Sequence, residues 1–112
     1  MRGKYQFNMK YPYTPGWEGS GVVTEVGPGL LGQFLLNKRV AFTKIWELGT
    51  LNYGGAFADY CLTDVKCVVP LTEDINMEQA ASSIINPMTA VGMIDRCIQL
   101  KAKAIIITAA AS

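Results

Sequence analysis

A continuous apolar run, Ala104 to Thr108, passes directly into Ala109-Ala110-Ala111-Ser112. Small residues immediately after a buried parallel strand are what a dinucleotide-binding turn requires, because the main chain there must come close to a pyrophosphate. The plainer alternative is four small residues that happen to follow a strand. Other reactive side chains narrow the chemistry by exclusion. Histidine is absent from all 112 residues, so a histidine-based zinc site, a cysteine–histidine pair and a Ser–His–Asp triad are excluded within this chain. Cys61, Cys67 and Cys97 are odd in number and lack tight metal-ligand spacing. They read as reduced thiols rather than a disulfide framework, with Cys61 and Cys67 as buried packing residues on or beside strands. The formal net charge is +1 and the basic residues are scattered singly. No stripe could follow a phosphate backbone, and neither nucleic acid nor an anionic membrane is expected as a partner.

The elements that must position this chemistry fall into two regimes. Hydrophobic residues at 50% and charged residues at 17% indicate a folded chain, long enough for one modest domain but not for two complete ones. Residues 1–17, with Pro12 and Pro15, read as a loop laid across a surface. Glu18 to Val26 predicts a strand, with β-branched Val22, Val23 and Val26, ended by the Gly27-Pro28-Gly29 turn. Lys38 to Phe42 and Ala56 to Leu62 predict two more, separated by turn chemistry over Thr50 to Gly55. Lys66 to Val69 predicts another, closed by Pro70. Short strands with Gly-rich turns argue for a compact, barrel-like β domain.

At Asn76 the pattern changes. Asn76 with Gln79 fits a capping box for a short helix over Met77 to Ile84. Asn86 then reads as the cap of a second helix with Pro87 at its first position, running to about Leu100 with Gly92 as its weak point. Ala104 to Thr108 follows as a buried parallel strand. The expected fold class is therefore α+β leading into α/β, with a domain boundary inside the second helix. No apolar run is long enough to span a bilayer, and the polar, mixed residues Met1 to Lys10 do not form a secretory signal. A cytoplasmic or mitochondrial-matrix protein is expected, not a secreted one.

The segment Pro15-Gly16-Trp17-Glu18-Gly19-Ser20-Gly21-Val22-Val23 resembles the central signature of the medium-chain dehydrogenase/reductase superfamily. The resemblance continues in order through Val26-Gly27, Arg39-Val40-Ala41-Phe42, Gly54-Gly55-Ala56-Phe57-Ala58-Asp59-Tyr60, Pro70-Leu71, Ala80-Ala81 and Asn86-Pro87-Met88-Thr89-Ala90. It covers essentially the whole chain. It implies a partial GroES-like β barrel over residues 1–90, followed by the first helix and strand of a Rossmann domain over residues 91–112. The family's opening strands would lie before Arg2, and the chain would stop inside the phosphate loop. Trp17 stands where zinc-dependent members carry histidine, and no four-cysteine lobe lies between Val40 and Gly54. The resemblance is therefore to the zinc-free branch, the quinone, enone and enoyl-thioester reductases.

By that resemblance the intact parent reduces a small electrophilic acceptor with NADPH (NADH being possible) and no zinc. Hydride delivery to a polarised C=C or quinone also needs a donor for the substrate oxygen or carbon. Tyr5 matches a tyrosine that acts in protonation beside the nicotinamide in the enoyl-thioester reductase subgroup. Thr89 is implied near the nicotinamide carboxamide or ribose, with Asn86 holding the helix start. Ala109, Ala110, Ala111 and Ser112 match the beginning of the phosphate loop. Glu18 has no metal to tune and is expected as a backbone acceptor or structural ion pair. Trp17 is expected to pack in the core. Asn37-Lys38-Arg39-Val40 departs from the family's Gly-Asp-Arg-Val, which implies a reshaped turn. The intact form is expected to be a homo-oligomer. Two competing readings are a non-catalytic structural or binding subunit built from a truncated dehydrogenase-like domain, and a quinone-responsive or crystallin-like relative with weak turnover.

Overall fold

The computed structural model describes residues 14–44 and 55–108. Strand β1 (Glu18–Val22) pairs antiparallel with β2 (Arg39–Thr43), and β2 pairs antiparallel with β3 (Val68–Pro70), giving a three-stranded sheet in the order β1-β2-β3. Helix α1 (Leu30–Leu35) lies between β1 and β2, and a 3-10 turn (Val65–Cys67) leads into β3. Helices α2 (Met77–Ala80) and α3 (Ile85–Gln99) follow the sheet. The chain thus passes from a β region into helices, as the change of pattern at Asn76 predicts.

Register decides what each face of the sheet can hold. Gly19 lies opposite Phe42, Ser20 opposite Ala41, and Gly21 opposite Val40. Side chains alternate along a strand and directly opposed residues share a face. Gly19, Gly21, Val40 and Phe42 therefore occupy one face, and Glu18, Ser20, Arg39, Ala41 and Thr43 the other. On the first face Gly19 leaves room for a ring: a Cβ there would lie 3.0 Å from Cζ of Phe42. Leu35 and Val40 are buried there, and with Phe42 they line an open cleft of about 1250 Å³. On the second face the most buried residue is small: Ala41 is 1% exposed, as is Ala80 at the end of α2.

Several elements depart from the sequence pattern, each for a local reason. β1 ends at Val22, short of Val26; beyond it, Val23 N–H donates to the Lys38 carbonyl at 3.0 Å and Asn37 N–H to the Val23 carbonyl at 2.8 Å. Asn37 has φ 62, a conformation that asparagine tolerates better than most residues after glycine. Asparagine thus serves at the place where the family pattern carries glycine. The strand expected over Ala56 to Leu62 does not form. Ala56 and Phe57 N–H groups bond to the Gly16 and Pro15 carbonyls at 3.3 and 2.9 Å, and the chain then turns away with Phe57 and Tyr60 exposed. The helix expected to reach Ile84 stops at Ala80. Ala104 to Thr108 carries no strand, because no neighbour among the described residues pairs with it; Ile106 is 91% exposed. Cys61, Cys67 and Cys97 are half-buried rather than buried, and all three are free thiols. The turn expected over Thr50 to Gly55 lies, Gly55 apart, outside the described residues.

Two glycines hold the entry to β1 against residues 55–57. Gly55 N–H donates to the Thr14 carbonyl at 2.9 Å, and a Cβ on Gly55 would fall on the Pro15 carbonyl group. A Cβ on Gly16, which has φ 110, would sit 2.6 Å from the Ala56 nitrogen. Neither neighbour can yield, since both are main chain. Gly21 has nothing within 4 Å of its Cβ direction. Gly55→Ala and Gly16→Ala are expected to lower unfolding stability by about 2 kcal/mol or more, whereas Gly21→Ala should leave it unchanged or raise it by about 0.5 kcal/mol. Urea unfolding midpoints of the three variants check the contrast.

Candidate functional site

The helix expected to carry the cofactor contacts is not capped from its own sequence. Asn86 is the second residue of α3 and Pro87 the third; the N-cap position belongs to Ile84, whose side chain cannot accept a hydrogen bond. The expectation that Asn86 caps this helix is thereby corrected. The acceptor comes instead from β1. One carboxylate oxygen of Glu18, Oε2, accepts from the backbone N–H groups of Ile84 at 3.0 Å and Ile85 at 2.8 Å. The first N–H groups of a helix lack partners within it and carry partial positive charge, so an anionic oxygen is well matched to them. Glu18 is a backbone acceptor, one of the two roles expected for it.

Alternation along the sheet explains why three side chains act together. Glu18, Ser20 and Arg39 share a face, and each bonds the main chain of the segment 73–85. Ser20 Oγ donates to the Met77 carbonyl at 2.7 Å. The Arg39 guanidinium donates to the Glu73 carbonyl at 3.4 Å and to the Ile75 carbonyl. Local caps complete the path. Asn76 Oδ1 accepts from Gln79 N–H at 2.7 Å, as its spacing predicts. Asp64 Oδ1 accepts from Lys66 N–H at 2.9 Å before β3. The roles of Ser20 and Arg39 are not foreseen in the sequence pattern; the one available signal is the two-residue spacing of Ser20 from Glu18.

Asn86 and Thr89, three residues apart on α3, lie on neighbouring positions of one helix face, and both are exposed. Thr89 Oγ1 donates to the Ile85 carbonyl at 2.6 Å. Its hydroxyl proton is therefore committed, and what it offers outward is an acceptor lone pair. Asn86 makes no side-chain hydrogen bond among the described residues. Tyr5, Ala109, Ala110, Ala111 and Ser112 lie outside the described residues. Trp17 is half-buried at the edge of β1, and its carbonyl accepts from Lys44 N–H at 2.7 Å. Burial pushes the Cys61 thiol above its ordinary value, with Lys44 opposing the shift. It is thus protonated at neutral pH and poorly suited as a nucleophile. Among the described residues no three His, Cys, Asp or Glu side chains group to hold a metal ion, and no helix is long and apolar enough to cross a membrane.

The alcohol dehydrogenase GroES-like domain family matches residues 1–73. The chain belongs to this family. Its sheet is the family's GroES-like region, and the helices that follow resemble the start of a Rossmann domain. Within the wider superfamily the similarity is to the quinone-oxidoreductase-like members. The chain is 31% identical to quinone oxidoreductase-like protein 2 of Rattus norvegicus over 111 residues, 98% of this chain and 29% of that protein. It is 28% identical to a probable quinone oxidoreductase of Schizosaccharomyces pombe, over 85% of this chain and 26% of that one. A crystal structure from Mesorhizobium loti, assigned as an NADPH:quinone reductase, superposes with a TM-score of 0.76 at 34% identity, covering 87% of this chain and 27% of the other. The GroES-like chain thus spans about 29% of the length of the curated relatives it matches.

Removing either polar tie from β1 should loosen the helices before the sheet. Glu18→Ala leaves two helix-end N–H groups without their anionic acceptor, an expected loss of about 1–3 kcal/mol. Ser20→Ala should cost about 1 kcal/mol. Thermal unfolding gives the size of each loss, and a drop in far-UV helical signal below the main transition locates it in α2 and α3.

Proposed function

We propose that the intact parent of this chain is an NADPH-dependent, zinc-independent reductase of a quinone, enone or 2-enoyl thioester. The observation that carries the reading is the chain's 34% identity and TM-score of 0.76 to the Mesorhizobium loti structure assigned as an NADPH:quinone reductase. Identity of 31% to quinone oxidoreductase-like protein 2 across 98% of the chain supports it independently. Residues 1–90 form the substrate-side domain and residues 91–112 begin the nucleotide-side domain. The working protein is a homo-oligomer that takes a small electrophilic acceptor.

The exposed pair on α3 fits a nicotinamide. Thr89 presents an acceptor, because its proton is held by the Ile85 carbonyl, and Asn86 presents both a donor and an acceptor. A carboxamide needs both functions, and a ribose hydroxyl can use either. When bound, the reduced nicotinamide supplies a hydride. The small residues Ala109, Ala110, Ala111 and Ser112 allow main-chain N–H groups to approach the pyrophosphate. Tyr5 donates its phenolic proton to the reduced substrate, a task matched by an O–H on a ring that can pack against an apolar acceptor. No step passes through a metal, since the chain has no histidine and Trp17 stands where zinc-dependent relatives place one.

The full-length protein is expected to oxidise NADPH faster than NADH in the presence of a benzoquinone or a 2-enoyl thioester. Tyr5→Phe should lower kcat by about 10²-fold or more with little change in the KM for NADPH. Thr89→Ala should raise that KM by about 5-fold. Absorbance of the reduced nicotinamide follows all three. Failure of both nucleotides with every acceptor would replace this reading with that of a non-catalytic binding subunit.

A further inference from the structure

The contact between Glu18 and the start of α3 joins the sheet to the helix that carries the proposed nucleotide contacts. Glu18 begins the first strand of the substrate-side sheet, and α3 carries Asn86 and Thr89. No residue of α3 is buried. Apolar packing at its first turn is limited to the half-buried Ile84 and Ile85, and polar ties give that turn its direction. Two of them come from one face of β1: Ser20 to the Met77 carbonyl, and Glu18 to the Ile84 and Ile85 N–H groups. The second acts within one to five residues of Asn86 and Thr89.

The same contact determines what α3 can bind. A free helix N-terminus attracts anions. Here the N–H groups of Ile84 and Ile85 already face a carboxylate, which offsets the positive end of the helix. A phosphate would meet like charge there, whereas a neutral carboxamide or hydroxyl at Asn86 and Thr89 would not. The start of α3 is thus set up for the uncharged part of a dinucleotide, with the pyrophosphate held elsewhere.

We infer that Glu18 is a positioning residue for the nicotinamide end of the nucleotide: its carboxylate fixes the first turn of α3 on β1 and so sets Asn86 and Thr89 for an uncharged polar group. The inference rests on the nucleotide-binding reading given above. It requires no contact between Glu18 and the nucleotide and no proton transfer by the carboxylate.

The test uses the full-length protein with Glu18→Ala, Glu18→Gln and Glu18→Asp. Glutamine keeps the length and one uncharged acceptor, aspartate keeps the charge but is one methylene short, and alanine keeps neither. Amide hydrogen exchange at Ile84 and Ile85, measured without nucleotide, reports the tie directly. KM for NADPH and kcat report its use. Alanine is expected to speed exchange at both amides by about 10-fold and to raise the KM for NADPH by about 5- to 10-fold with kcat within 2-fold. Glutamine should recover most of both effects, and aspartate should fall between. If alanine fails to fold, the same parallel between exchange and KM is read across glutamine and aspartate. Faster exchange with an unchanged KM would overturn the inference and leave Glu18 a plain helix cap. A parallel fall in kcat and Tm at constant KM would do the same. If the wild-type protein binds neither NADPH nor NADH, the reading beneath the inference fails with it; that result is recognisable because it appears before any substitution is made.

Discussion

The carboxylate of Glu18 against the first N–H groups of α3 is the interaction around which the described structure is organised. Among the described residues the buried apolar set is small: Leu35, Val40, Ala41 and Ala80. Such a set can hold the sheet and α1 together but does little to aim a helix with no buried residue. That helix is directed by an anionic oxygen reaching across 66 residues of sequence. The strand beneath it is shaped for this. Gly19 leaves the other face to the Phe42 ring, while Glu18 and Ser20 take the helix side.

Polar ties of this kind have a different character from a packed core. Each is directional, so each specifies an orientation as well as a contact. Arg39 extends the pattern to β2, its guanidinium holding carbonyl groups of residues 73 and 75. The connecting segment 73–85 is thus held along one sheet face at three places by side chains bonding to main chain. Its own sequence is free to vary at those points, since the main chain supplies the partners. The sheet side is less free, because shortening any of the three side chains leaves a main-chain group without its partner.

The legible parts of the fold were those with local causes. Valines and glycines announce β1, the apolar run Val40-Ala41-Phe42 announces β2, and Asn76 announces α2 because its acceptor lies three residues from the donor it satisfies. What escaped had distant or missing partners. Asn86-Pro87 looks like a helix start, yet the cap is Glu18, and nothing within the helix sequence points to it. Ala56 to Leu62 has strand-like residues, but no strand forms there; its first two N–H groups bond to the Gly16 and Pro15 carbonyls, and the glycine at 55 sits against Pro15. Leu30 to Leu35 is apolar on most sides, with Gly32 inside it, so no helical stripe marks α1. Of the candidate site, Asn86 and Thr89 fall on one exposed helix face, as a shared role needs. Tyr5 and the residues from Ala109 onward lie outside the described residues.

The run Ala104 to Thr108 has a consequence for handling the protein. Ile105, Ile106 and Ile107 are 56%, 91% and 72% exposed. Three consecutive β-branched residues without charge or proline form the kind of segment that stacks in register with copies of itself. Residues suited to the interior of a parallel sheet are, before neighbours cover them, suited to intermolecular pairing. Time spent with this segment uncovered, during synthesis or refolding, then competes with concentration-dependent aggregation. Yield of native protein should depend as much on how quickly this hydrophobic segment is covered as on how stable the sheet becomes afterwards.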